Sequence, residues 1–234
     1  MFKAELRPLP HSSPNETTGL VFTQLYNAIV YWAFKPGMKI SEAEIAKKLG
    51  VSRQPVRDAF FQLSQLGLIA IRPQRATLVT KISEPAVMKA YFIRQSLELT
   101  LVEEAIKHID SEGEKILRNL LDRQVRALAN EDNWWFHQLD DEFHRKISII
   151  AGHGYVWDLI KNHKAHMDRL RFLTLPYGSD ETLQEHHQIY EAIIRKDENT
   201  AKKNMRFHLS KICKHLPLFR NNNAQYFDET NYEV

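Results

Sequence analysis

Residues 41–80 read SEAEIAKKLGVSRQPVRDAFFQLSQLGLIAIRPQRATLVT, and their changing periodicity decides the fold of the first third of the chain. Ser41 followed by Glu44 has the spacing of a capping box. Ile45, Ala46 and Leu49 then supply one apolar face, and Gly50 supplies a stop. Ser52 is placed to cap a further helix that tolerates Pro55 in its first turn, where no backbone N–H is needed. On that helix Val56, Ala59, Phe60 and Leu63 form a packing stripe, while Arg53 and Arg57 lie one turn apart on another face. Residues 68–72 and 77–81 then read as two short strands around Pro73-Gln74-Arg75-Ala76. Ahead of the stretch, Val21, Leu25, Ala28, Ile29 and Trp32 recur at helical spacing and stop before Pro36-Gly37.

Two short helices meeting at a tight turn, the second with paired arginines near its start, can place that helix in the major groove of DNA. There arginine reaches guanine edges or phosphates. The charge distribution agrees, since residues 1–81 carry a net +6 and residues 82–234 a net −3. The basic hairpin reads as a wing.

From Ser83 the pattern changes to long amphipathic helices, expected at 84–109, 112–130, 132–151, 154–174, 179–196 and 198–215. Gly113, Gly152 to Gly154, Pro176 to Gly178 and Asp197 serve as the breaks. The expected fold is therefore mainly α, a winged helix-turn-helix followed by an all-α bundle. The domains read as a flexible tail at 1–17, a DNA-binding domain at 18–81, a helical ligand-binding and dimerisation domain at 82–218 and a polar tail at 219–234. No apolar run approaches the roughly 20 residues of a membrane span, and the start of the chain lacks a secretory apolar core, so a cytoplasmic protein is expected. The single cysteine, Cys213, reads as an incidental thiol.

Asp140 and His144 are four residues apart, which puts a carboxylate and an imidazole on one helix face within reach of one ion. His186 and His208 stand on two later helices, and a closed bundle could bring all four groups inward. Such a shell keeps positive charge and open positions for water or an organic anion. Its donor types suit zinc, nickel or manganese without choosing among them. His137, His153, His163, His166, His187 and His215 read as ordinary surface or core histidines. Arg169 and Arg171 are weaker candidates for the same pocket, and Trp134, Trp135 and Trp157 read as packing residues.

The quoted stretch resembles the winged helix-turn-helix of the GntR family of bacterial transcription regulators over about residues 18–81. That resemblance implies operator contacts from Ser52, Arg53, Gln54, Arg57 and Arg75. Two positions depart from the pattern: Ala43 stands where the family often has arginine, and Ala76 where it favours glycine at the wing tip. Over about residues 84–215, LDDEFHRKI, QEHHQIYEAI and KDENTAKKNMRFHL resemble motifs of the FCD ligand-binding domain found in the FadR subfamily. The resemblance implies Asp140, His144, His186 (rather than His187) and His208 as metal ligands, and Arg94 and Glu98 as the earlier motif, in which Arg94 could clamp a carboxylate effector or simply pair with Glu98. Six helices are similar to the shorter VanR-type branch. The implied protein is a homodimeric regulator, most often a repressor, that binds palindromic operator DNA. It responds to a sugar acid or other small carboxylate held next to a divalent metal ion. Two other readings stay open: a metal-dependent hydrolase or oxygenase, with Glu142 or Glu185 as base, and a regulator that responds to the metal itself. Against the enzyme stands the absence of a compact HExxH.

Overall fold

The computed structural model describes residues 6–10, 13–72, 75–174 and 178–229. The chain divides into two compact units: residues 85–219, and the described residues up to Glu84 together with those from Arg220 onward.

In the second of these units α1 (Pro14–Val30), α2 (Glu42–Leu49) and α3 (Arg53–Gln65) enclose a small core. Val21, Leu25 and Ala28 of α1 and Val56, Ala59 and Leu63 of α3 are fully buried there. Proline at the first position of α1 lacks an N–H that would go unbonded anyway. Gly50 ends α2 in the left-handed region (φ 69°, ψ 31°), which a residue without Cβ adopts at no steric cost, and so sets the tight turn into α3. Ser41 and Ser52 do occupy the N-cap positions with extended backbone, but neither side chain makes a cap hydrogen bond. The expected capping box is therefore not formed, and Glu42 and Glu44 support α2 as first-turn acids facing the helix dipole.

The wing is a three-stranded antiparallel sheet of order β1-β3-β2, with β1 at Lys39–Ile40, β2 at Ile69–Ala70 and β3 at Thr77–Val79. Both hairpin strands are shorter than expected, and β1, too short to show a period, pairs Lys39 with Leu78. Pro73 and Gln74 of the wing tip lie outside the described residues. Trp32, counted in the periodicity of the first helix, instead lies beyond the end of α1 with φ 63°.

The helical unit holds seven helices among the described residues, where the sequence predicts six. These are α4 (Glu84–His108), α5 (Ser111–Ala129), α6 (Asn133–Ile150), α7 (Tyr155–His163), α8 (Ala165–Thr174), α9 (Ser179–Ile194) and α10 (Glu198–Asn222). The expected helix at 154–174 breaks at Lys164. That residue is 1% exposed and its ammonium group sits between Asp141 Oδ2 (2.7 Å) and Asp168 Oδ2 (2.6 Å). Lysine carries no helix-breaking signal; the break comes with a tertiary ion pair, and the helix count no longer favours the shorter branch. Gly113, expected as a break, lies in the first turn of α5, where an added Cβ would meet Ile109 Cδ1 at 2.9 Å. Asp110 and Asp132 cap α5 and α6 by accepting from the Gly113 and Trp135 amides. Leu117, Leu121, Phe136, Phe143, Ile147, Trp157, Ile189 and Met205 form the centre of the bundle core.

Beyond α10 the chain returns to the winged unit instead of trailing off as a polar tail. Ala224–Tyr226 form a 3-10 turn. Ile82 donates to the Tyr226 carbonyl (2.8 Å) and accepts from the Asp228 amide (3.1 Å), giving a parallel bridge between Ile82 and Phe227. The Tyr226 ring meets Trp32 edge to face at 4.9 Å, Phe227 is 1% exposed, and Arg220 pairs with Glu84 at 2.9 Å. Two aromatic side chains within a polar stretch are enough to anchor it; residues 230–234 of the expected tail lie outside the described residues.

Candidate metal centre and nucleic-acid interface

The first turns of α3 present Arg53 and Arg57 to solvent, and the Nη2 atoms of both point to one oxygen, Glu42 Oε2, at 3.5 and 3.4 Å. Exposed pairs this long add little stability, so both guanidinium groups are available to an anionic partner. Gln54 Nε2 donates to Asp58 Oδ1 at 2.9 Å. Ser52 is exposed at the start of α3, and Arg75 is exposed in the wing, its amide donating to the Arg72 carbonyl at 3.2 Å. Glu42, which tethers both arginines, was not marked by the sequence reading; its position at the first residue of α2 was the available signal.

In the helical unit Asp140 and His144 of α6, His186 of α9 and His208 of α10 are buried together, with one donor atom from each lying within 4.8 Å of the others. His144 Nε2 and His208 Nε2 are 3.1 Å apart, and His186 Nε2 is 3.5 Å from Asp140 Oδ1. Each imidazole also has an oxygen at its other nitrogen. His186 Nδ1 is 2.8 Å from Gln124 Oε1, and His208 Nδ1 is 3.0 Å from Glu185 Oε2. His144 Nδ1 is 2.5 Å from Glu98 Oε2, an ion-pair contact whose direction falls outside hydrogen-bond geometry. Gln124 donates in turn to the Leu139 carbonyl (3.1 Å), which orients its oxygen, and Glu185 is held by Lys211 (2.7 Å). Hydrogen-bonding oxygens at Nδ1 of His186 and His208 favour the ring proton there, which leaves the Nε2 of each able to accept.

The protonation states suit a cation. Burial, then the neighbouring His208, pulls His186 well below its ordinary 6.5, and burial likewise lowers His208 against the opposing pull of Glu185. Burial would raise the Asp140 carboxyl, but Arg171 and the surrounding histidines outweigh it and hold the group well below 3.8. Glu98 is brought down to about 2; burial works against this, and Arg94 and His144 overcome it. Asp140 Oδ1 and His186 Nε2 are buried with no hydrogen-bond partner among the described residues. An ion bound at about 2.0–2.2 Å needs donors roughly 3–4 Å apart, so these atoms fit a first-row divalent ion.

A cavity of about 70 Å³ adjoins the cluster, lined among others by Arg94, Asp140, Arg171, Thr182, His208 and Lys211. Arg94 both pairs with Glu98 (Nε to Oε1, 2.6 Å) and keeps Nη2 buried without a hydrogen-bond partner among the described residues. Arg171 binds the Asp140 carboxylate and reaches Asp141 (3.3 Å) and Asp168 (3.5 Å). Arg169 is fully buried and is not among the cavity-lining residues, whereas His215, read as ordinary, is. His137, Asp141 and Asp168 also cluster, but the Lys164 ammonium already holds both carboxylates. Glu142 pairs with Arg145 (3.1 Å), and Glu185 is taken by His208 and Lys211, which leaves neither placed as a free base. Gln124 was the one inner partner with no spacing signal, because its contact to His186 spans 62 residues.

A basic winged helix joined in one chain to a helical unit with a buried donor cluster defines a DNA-binding transcription regulator. Residues 17–79 match the bacterial regulatory proteins of the gntR family, and residues 89–211 match the FCD domain. The chain belongs to the GntR family, in the FadR-like subfamily whose second part is an FCD domain. It is 34% identical over 212 residues to the HTH-type transcriptional repressor RspR of Escherichia coli K12, covering 89% of this chain and 92% of the relative. It is 25% identical over 191 residues to a protein of Paenarthrobacter nicotinovorans named "Probable D-xylose utilization operon transcriptional repressor", covering 80% and 82%. Among solved structures, E. coli McbR/YncC shares the fold with a TM-score of 0.76 at 20% identity, over 89% of this chain and all of that one. A GntR regulator from Rhodococcus sp. RHA1 gives 0.72 at 24% identity, over 86% and 98%. The family and its repressor relative are transcription regulators and not enzymes, and the chain is a regulator of that family. No helix among the described residues is long and apolar enough to cross a membrane.

Proposed function

We propose that the protein is a cytoplasmic, homodimeric repressor whose operator affinity is set by a small organic carboxylate bound beside a divalent metal ion. Asp140, His144, His186 and His208 would hold the ion, and Ser52, Arg53, Gln54, Arg57 and Arg75 would contact a palindromic operator. The observation that carries the reading is the donor cluster, with Nε2 lone pairs turned inward by oxygen partners and the unsatisfied Arg94 Nη2 in the adjoining cavity. When bound, the ion would supply a positive centre for a carboxylate or hydroxyl oxygen. Arg94 binds and orients the same anion from α4, while Glu98 holds both Arg94 and His144. An effector shifts operator binding only to the extent that it binds one conformation of the protein better than the other.

The ion itself as signal is a second reading, favoured by one contact. Arg171 joins Asp140 to Asp141 and Asp168, so a change at Asp140 is felt at once by α6 and α8. Metal analysis of the purified protein, with calorimetry of small carboxylates against metal-loaded and stripped forms, tests both. Near-stoichiometric metal with metal-dependent carboxylate binding supports the first reading. Metal-dependent operator binding with no organic ligand supports the second, and a protein that takes up neither metal nor acid refutes both.

A further inference from the structure

We propose that residues 220–229 are a second tether between the helical unit and the winged helix, and that this tether carries the state of the metal centre to the DNA-binding residues. The inference rests on the regulatory reading above. The chain passes between the two units twice, at Glu84 into α4 and at Arg220 near the end of α10. Both helices hold the donor cluster: α4 through Glu98 on His144, α10 through His208 itself. From Glu98 back to Glu84, and from His208 on to Arg220, the helix runs on for between about three and four turns. Those two endpoints are tied to each other by the 2.9 Å Arg220–Glu84 ion pair.

A helix that ended free would lose any displacement at its frayed last turn; α10 continues into packed structure. Tyr226 lies edge to face on Trp32, immediately beyond α1, and the Tyr226 carbonyl and Asp228 amide bracket Ile82, which follows the last wing strand. Phe227 is buried against the same unit. The segment thus holds the exit of α1 and the exit of the wing together. Helix α1 packs on α3, which carries Arg53 and Arg57. Displacement of α10 relative to α4 therefore meets a clasp joined to the helix that supports the recognition helix. Pro217 in α10 cannot donate the bond that would close on the Cys213 carbonyl, yet the helix runs on through it to Asn222.

Coupling between two sites is reciprocal and is measured as a ratio of affinities, so the test reads that ratio. Operator Kd is measured by fluorescence anisotropy for the zinc-loaded and chelator-stripped full chain. Three forms are compared: the unaltered protein, Tyr226→Ala with Phe227→Ala, and the milder Arg220→Gln with Glu84→Gln. Zinc affinity with and without operator is the second readout. The unaltered protein is expected to show a ratio of roughly 5-fold or more in both directions. The aromatic variant is expected to fall to within about twofold of unity while still binding zinc with unchanged affinity in the absence of DNA. The ion-pair variant, which keeps the buried aromatics, is expected between the two and covers the case in which the aromatic variant does not fold. Retention of the unaltered ratio by the folded variants would overturn the tether alone. A ratio of one in the unaltered protein with zinc bound would overturn the reading in which the ion is the signal, and the tether with it.

Discussion

His144 on α6 and His208 on α10 bring their Nε2 atoms to 3.1 Å from each other. A carboxylate stands at the far nitrogen of each ring, and a cation between the two Nε2 atoms would take a lone pair from both. Replacing either with alanine, His144→Ala or His208→Ala, should sharply lower metal content in the purified protein and leave operator binding by the winged helix in place. Elemental analysis showing full metal in both variants would remove them as ligands.

Gln124 would act on a bound ion only through His186 and should behave accordingly. Gln124→Ala is expected to lower metal affinity by roughly 10- to 100-fold, as loss of such supporting partners does. Gln124→Glu keeps an acceptor at Nδ1 and should restore most of it. Equal affinity in the two variants, by competition with a metal chelator dye, would show that the hydrogen bond to His186 is incidental.

Arg53→Ala should cost about 1–3 kcal/mol of operator affinity, the range for one arginine reading a base pair, and leave metal content unchanged. If Arg53 instead meets phosphate, the loss should be uniform across operator variants and the salt slope should fall by about one. An operator titration with neither change would reject the assignment.

Metal that binds only the folded protein should stabilise it by mass action, by about 4 kcal/mol at a free concentration near 1,000 times Kd. The thermal midpoint should rise with added zinc and fall back with chelator. An unchanged midpoint in a protein that retains the ion would contradict a site built only in the folded state.

Lys164→Met should destabilise the helical unit by about 3–5 kcal/mol, because it leaves Asp141 and Asp168 facing each other without their shared buried cation. Denaturant unfolding with a midpoint like that of the unaltered chain would mean that Arg171 alone balances both carboxylates.

The elements legible in the sequence are those set by neighbours along the chain. The turn at Gly50, the stripe from Val56 to Leu63 and the four-residue step from Asp140 to His144 are all local, so period and spacing reveal them. Drawing His186 and His208 to the same point required family motifs, since nothing in a linear pattern says which of eleven histidines face one another. Gln124 stayed hidden because an amide 62 residues from its imidazole partner has no spacing to read. Lys164 hid the break between α7 and α8 because, by local propensity, lysine is a good helix former. The returning segment was masked by its own composition, in which Tyr226 and Phe227 are outnumbered by polar neighbours.

That return has a bearing on biosynthesis. Tyr226 and Phe227 complete the packing of a unit whose other residues leave the ribosome first, so the winged helix cannot be finished until the whole bundle has been made. A nascent chain carries its recognition helix long before the piece that closes the structure around it. The packing of the winged unit is therefore completed only after the bundle exists, and a stalled or proteolysed product that lacks the bundle also lacks the last part of that unit.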